Sequence, residues 1–259
     1  MKKAQIMAMA MAFLVLSACS SQPDAVLEGV FWPTQDAIAA DIVLDEIWTT
    51  TEIPVSCSIC ANDCFIANHG EDIYITLENN VITRASEHQH REDVLRTAKG
   101  RIVGANKGEW GGSVRFIPRF GAGYTLINDN FCGFYVINDR VFALTGLAHL
   151  TLDFGAIHEL SYKNGKWTAQ IILDLESEPK AYIVVDETLY VVTGKDLLII
   201  ENDEIVKSIP GRNGWFAAYP NSIVIADSAL YMGLRHGMFA IDLESGDMDR
   251  YFLNTNPNE

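Results

Sequence analysis

The cysteines come first among the residues able to do chemistry. Cys57, Cys60 and Cys64 fall within the short run Cys57-Ser58-Ile59-Cys60-Ala61-Asn62-Asp63-Cys64, with Cys19 upstream and Cys132 downstream. Such a cluster can hold a metal, exchange electrons as a dithiol, or close disulfides. A structural zinc site normally presents two separated ligand pairs, and no second pair occurs here. A thioredoxin-type dithiol needs a βαβ setting, which strand-rich flanks do not offer. Structural disulfides among Cys57, Cys60, Cys64 and Cys132 are therefore expected, with the pairing left open among three arrangements.

Other polar sets are weaker. His88-Gln89-His90, beside Glu87, Glu92 and Asp93, has metal-ligand types, but its surroundings are polar and lack strand alternation, so a solvated loop is expected. Asp242, Glu244, Asp247 and Asp249 surround Gly246 without the spacing of a calcium loop, which points to a hairpin turn. His149 and His158 with Asp153 and Glu159 could be drawn as an acid–base set. No nucleophile elbow, phosphate-gripping glycine loop or zinc-protease helix accompanies them. No catalytic residue, metal or cofactor is expected. Two aromatic segments stand out instead, Gly108-Glu109-Trp110-Gly111-Gly112 and Arg212-Asn213-Gly214-Trp215-Phe216. Glu109, Trp110 and Trp215 are the candidate partner-binding residues, because tryptophan is enriched where binding energy concentrates. The alternative role for both tryptophans is to fill a gap between packed sheets.

The elements that must position these residues are strands. Ile73–Leu77, Glu78-Asn79-Asn80 and Val81–Thr83 read as strand, turn, strand. The same order recurs in Tyr135–Leu144 around Asn138-Asp139, in Tyr182–Val192 around Asp186-Glu187, and in Ile223–Met232 around Asp227-Ser228. Leu189–Glu201 can be laid on Leu230–Asp242 without a gap, a shift of 41 residues. An earlier unit begins at Val141-Phe142, 48 residues before Leu189, and a weaker one near Ile102-Val103, 39 residues earlier still. A strand-built period of this length is the signature of β-propeller blades, each too thin to cover its own faces and so stacked on neighbours. The reading is all-β: a small propeller of about five blades over residues 28–259, with Leu27–Asn68 supplying an irregular entry or a missing outer strand. A β-sandwich is the alternative. The polar stretch Ser86–Ala98 reads as a helical turn or loop.

The last unit, Leu230-Tyr231-Met232-Gly233 through Phe239-Ala240-Ile241-Asp242-Leu243 to Glu244-Ser245-Gly246 and Tyr251-Phe252, resembles the blade of the pyrroloquinoline-quinone-type propellers. The resemblance implies the fold and not a quinone cofactor. Tyr251 and Phe252 stand where that family often has a tryptophan.

The amino-terminal segment is similar to a bacterial lipoprotein export signal. Lys2 and Lys3 precede an apolar stretch from Ala4 to Val15, and Leu16-Ser17-Ala18-Cys19 has the form of a lipobox. The apolar run is too short for a permanent span and fits a removable leader. The resemblance implies cleavage after Ala18, lipidation of Cys19, a short tether over residues 19–27 and, with Ser20 following the cysteine, residence at the outer membrane. Multiple acyl chains would give a firm hold where one is marginal.

The chain has 34 acidic and 19 basic residues, for a net charge of −15. Losing Lys2 and Lys3 with the leader takes it to −17. Such a surplus disfavours nucleic acid and favours solubility and basic partners. The function expected is a non-catalytic, lipid-anchored protein-binding module, in its sharper form an immunity protein against a basic cell-wall-degrading enzyme. The alternatives are a hydrolase or lyase acting on envelope sugars from a central funnel, and an outer-membrane assembly scaffold.

Overall fold

The computed structural model describes residues 34–35, 43–44, 48–51, 71–85, 94–211, 219–235 and 237–253. The leader, Cys19, the tether, Cys57, Cys60, Cys64, His88, His90 and Trp215 lie outside the described residues.

Three short strands come first: β1 (Thr34–Gln35), β2 (Val43–Leu44) and β3 (Trp48–Thr51). Five sheets then follow in chain order. The first holds β4 (Ile75–Glu78) and β5 (Val81–Arg84), and the second β6 (Val94–Thr97), β7 (Gly100–Asn106), β8 (Gly112–Pro118) and β9 (Tyr124–Ile127). The third is β10 (Phe131–Ile137), β11 (Arg140–His149), β12 (Leu152–Lys163) and β13 (Lys166–Leu175). The fourth is β14 (Pro179–Val185), β15 (Thr188–Thr193), β16 (Asp196–Glu201) and β17 (Glu204–Pro210). The fifth is β18 (Ser222–Ala226), β19 (Ala229–Leu234), β20 (Gly237–Asp242) and β21 (Met248–Leu253).

Local chemistry explains the meanders. Asn79-Asn80, Asn138-Asp139, Asp186-Glu187 and Asn202-Asp203 each have positive φ at both residues. That is the turn geometry whose twist matches the flanking strands, and Asn and Asp tolerate it best. The predicted repeat is present at residue level. Thr188–Thr193 and Asp196–Glu201 recur 41 residues later as Ala229–Leu234 and Gly237–Asp242. Leu189 faces Ile200 in one sheet, and Leu230 faces Ile241 in the next.

The core is divided among the joints between sheets. One apolar cluster joins the second and third sheets, with Leu95, Ile102, Val114 and Phe116 against Phe131, Phe134 and Leu160. Others join the third to the fourth, the fourth to the fifth, and the fifth back to the first. Neighbouring sheets meet in the same order: β7 lies beside β10, and the opening strands follow, β10 beside β14, β14 beside β18, and β18 beside β4. The described residues thus form a small all-β propeller of five sheets rather than the two facing layers of a sandwich. Among the described residues no apolar cluster spans the first and second sheets.

The entry segment does supply strands. β3 pairs antiparallel with β21, Thr50 opposite Tyr251, as an added strand of the last sheet. β1 and β2 add parallel to β14 and β5. One expectation needs correction: within the polar stretch read as a helical turn or loop, Val94–Thr97 is strand β6, because Leu95 and Thr97 alternate into the core. The polar residues around them masked a period of two.

Candidate functional site

The first candidate surface is an apolar rim. Gly108–Trp110 forms a single 3-10 turn between β7 and β8, and glycines with positive φ, Gly108 and Gly111, bracket it. Asn130, almost fully buried, braces the turn from below: its Oδ1 accepts from the Lys107 N–H at 3.1 Å, and its Nδ2 donates to the Gly108 carbonyl at 2.7 Å. Asn106 Oδ1 accepts from the Gly108 N–H at 2.8 Å. The backbone is therefore fixed while the side chain points outward, and Trp110 is 83% exposed.

Glu109 Oε2 lies 2.9 Å from His149 Nε2, which ties this turn to the β11–β12 hairpin tip. That tip carries Leu150, 92% exposed and held at positive φ, with Leu152 and Phe154 also exposed. Four large apolar side chains from two adjoining sheets thus crowd one end of the molecule. Sequence reasoning selected Glu109 and Trp110 but missed Leu150, Leu152 and Phe154. Their run Leu150-Thr151-Leu152-Asp153-Phe154 alternates apolar and polar residues as any half-buried strand does, so it carries no distinguishing signal.

The acid–base set drawn from the sequence is not assembled, because each member is engaged elsewhere. His149 pairs with Glu109, and Glu159 binds Arg140 through two contacts of 3.1 and 3.2 Å. Asp153 accepts the Glu178 N–H at 3.0 Å and pairs with Lys195 at 3.2 Å. Burial alone would raise the Asp153 pKa; the Glu178 N–H, Ser177 and Lys195 together bring it below its ordinary value. Asp242 serves a turn, as expected, accepting from the Glu244 and Ser245 N–H groups at 3.0 and 2.6 Å. No group of metal-ligating side chains is found among the described residues. Cys132 is buried in β10 with Sγ 3.9 Å from the carbonyl oxygens of Asn130 and Gly146.

His158 is buried, with Nε2 3.0 Å from Thr145 Oγ1. Burial holds its pKa below the ordinary 6.5, outweighing the opposing pull of Asp129 and Asp174. As pH falls the unfolded chain takes up this proton before the folded one, so stability is intact above 6.5 and declines below it. Urea unfolding at about pH 7.5 and about pH 5 should show that decline, and His158→Gln should flatten it. An equal slope in both proteins would remove His158 as the cause.

The second candidate surface is basic. Residues 94–127 carry Arg96, Lys99, Arg101, Lys107, Arg115 and Arg119 against one carboxylate, Glu109, so this blade opposes the sign of the whole chain. Strand alternation sends Leu95, Ile102, Val114 and Phe116 toward the third sheet, and Arg96, Arg101 and Arg115 to the opposite face. Arg96 stands directly across from Arg101. Arg115 sits opposite Val103, diagonal to Arg101. Arg96, Arg101 and Arg119, with Ile117 and Pro118, line an open groove of about 580 Å³. The Arg119 N–H donates to the Lys99 carbonyl at 3.1 Å, bringing the two loops of this end together. Among the described residues none of Arg96, Lys99, Arg101, Arg115 or Arg119 forms an ion pair. A charge count by segment would have exposed this surface; the whole-chain total concealed it.

No protein-family model matches the chain, and no curated protein sequence matches it. Among solved structures it is similar to the WD40 β-propeller domain of Doa1, at 13% identity over 88% of this chain and 71% of that one, with a TM-score of 0.37. It is similar to streptogramin B lyase at 13% identity over 81% and 74%, with a TM-score of 0.36. A computationally designed protein, Ika8, matches at 11% identity over 69% and 74%, with a TM-score of 0.29. These likenesses are distant, and the propeller assignment stands on this chain's own sheet order and its four inter-sheet clusters.

Proposed function

We propose that this chain is a bacterial envelope lipoprotein, held by lipid at Cys19, that works as a non-catalytic protein-binding module. The observation that carries the reading is the rim of Trp110, Leu150, Leu152 and Phe154, exposed together on a braced turn and a hairpin tip. Exposing one large apolar side chain is ordinary, whereas four gathered at one edge mark an interaction surface. Trp110 is the expected anchor, because its backbone is already ordered and little entropy is lost when the ring is covered. The acidic surplus outside the second sheet favours a basic partner, and a basic cell-wall-degrading enzyme held in check by this protein suits both charge and anchor.

The anchor and the rim are tested separately. Labelled palmitate should enter the wild-type chain and not Cys19→Ala; equal labelling would remove the lipid assignment. The protein captured from envelope extracts at low salt is then purified and titrated against wild type and Trp110→Ala. Loss of affinity by about 30-fold or more is expected at a hot-spot tryptophan. An unchanged affinity would rule out the rim as the contact surface.

A further inference from the structure

We infer that the groove lined by Arg96, Arg101 and Arg119 on the second sheet is a binding site for a multiply charged oxyanion of the phosphate class. Arg96 and Arg101 occupy directly opposed positions of β6 and β7, and Arg115 is the diagonal neighbour of Arg101. Like charges placed opposite one another on a sheet destabilise it. In a chain with 34 acidic residues, carboxylates to relieve that repulsion are plentiful, yet among the described residues none pairs with these arginines. Among the described residues the cations are unpaired and grouped, and Arg96, Arg101 and Arg115 face the one joint that no apolar cluster fills there.

Guanidinium groups are suited to this ligand. Their planar fork donates two parallel hydrogen bonds to a phosphate or phosphodiester, and their weak hydration makes desolvation less costly than for an ammonium. Three of them around a groove of about 580 Å³ call for at least two negative charges. Ile117 and Pro118 add apolar lining, which lowers the local dielectric and strengthens each contact. The site is separate from the apolar rim: β7 runs from Gly100 beside the groove to Asn106 beside the Trp110 turn, roughly 20 Å at about 3.3 Å per residue. Neither surface depends on the other.

The test uses the chain from residue 19 onward with Cys19→Ser, which retains every described strand and carries no acyl group. Pyrophosphate is titrated by calorimetry, and vesicles of phosphatidylglycerol in phosphatidylcholine are offered by co-sedimentation. Saturable pyrophosphate binding that weakens with salt is expected, as is an affinity loss of about tenfold or more in Arg101→Gln. Lys166→Gln, on the third sheet, should bind as wild type does. Without ligand, Arg101→Gln should melt no lower than wild type, because it removes a repulsion, so lost binding cannot be put down to lost folding. Binding of pyrophosphate alone identifies a soluble phosphorylated ligand, and binding of the vesicles alone, through the same arginines, identifies a lipid headgroup. Binding of neither, or equal losses in Arg101→Gln and Lys166→Gln, overturns the assignment.

Discussion

Gly104→Ala is expected to destabilise the protein by about 3 kcal/mol, lowering the melting temperature by about 10 °C. A Cβ at this position would sit 2.3 Å from both Cγ and Cδ1 of Phe131 and 2.6 Å from Cδ2. Those atoms are near the base of the ring, so the clash cannot be relieved by swinging a distant tip. Phe131 is itself buried, with its ring 4.3 Å from that of Phe134. The glycine of β7 is thus the seat on which the first strand of the third sheet packs. The same device recurs at the next joint, where a Cβ on Gly133 would fall 2.2 Å from Tyr182, whose hydroxyl donates to the Phe134 carbonyl at 2.7 Å. Paired with Phe131→Leu, the Gly104→Ala loss should shrink, giving a double-mutant coupling that strictly additive losses would disprove. Thermal and urea melts of the four proteins measure it.

Phe142→Ala should cost about 3–5 kcal/mol, a large part of the roughly 5–15 kcal/mol that holds a domain together. The ring is 1% exposed and stacks on Tyr135 at 4.6 Å and 11°. Arg140 lies over it at 4.8 Å and continues to Glu159 in the third sheet and to Asp203, at 2.7 Å, in a turn of the fourth. Truncation opens a cavity at the joint and removes the surface against which that bridge is held. Burial first, and the nearby Asp203 second, already push the Tyr135 hydroxyl above its ordinary range, as expected of a phenol enclosed by this packing. Ile171→Ala, on an exposed position of β13, is the control and should stay within about 0.5 kcal/mol of wild type. Equal urea midpoints for the two variants would contradict the division of the core among the joints.

Much of the fold was legible before any coordinates. Period-two alternation placed one strand pair in each of the first, third, fourth and fifth sheets, and turn residues such as Asn138-Asp139, which have positive φ, marked where those pairs reverse. The 41-residue shift read from Leu189–Glu201 is the spacing of whole strands in the fourth and fifth sheets. These features survive because they depend on neighbours a few residues apart. Strand β6 did not survive the reading, since four residues in a polar stretch show too few alternations to separate strand from loop. The supply of added strands by the entry segment was anticipated, but its partners were not: β3 lies beside β21, some two hundred residues away in the chain.

The candidate surfaces divide along the same line. Flanking glycines singled out Trp110 as a side chain on an unusual backbone, and the structure adds the reason it stays outward, the support of Asn130. That Leu150 joins it depends on a contact between two sheets, Glu109 with His149, which no local pattern encodes. The arginine groove was diluted within a net charge of −15, a sum over the chain that carries no positions. Residue type and spacing by themselves determined that strands of one repeating length would form and that acidic side chains, 34, would outnumber basic ones, 19. Which faces meet, which charges are left without a partner, and which apolar groups remain uncovered were decided by the tertiary structure. Those properties arise between segments far apart in sequence, where packing and Coulomb energy depend on distance in space.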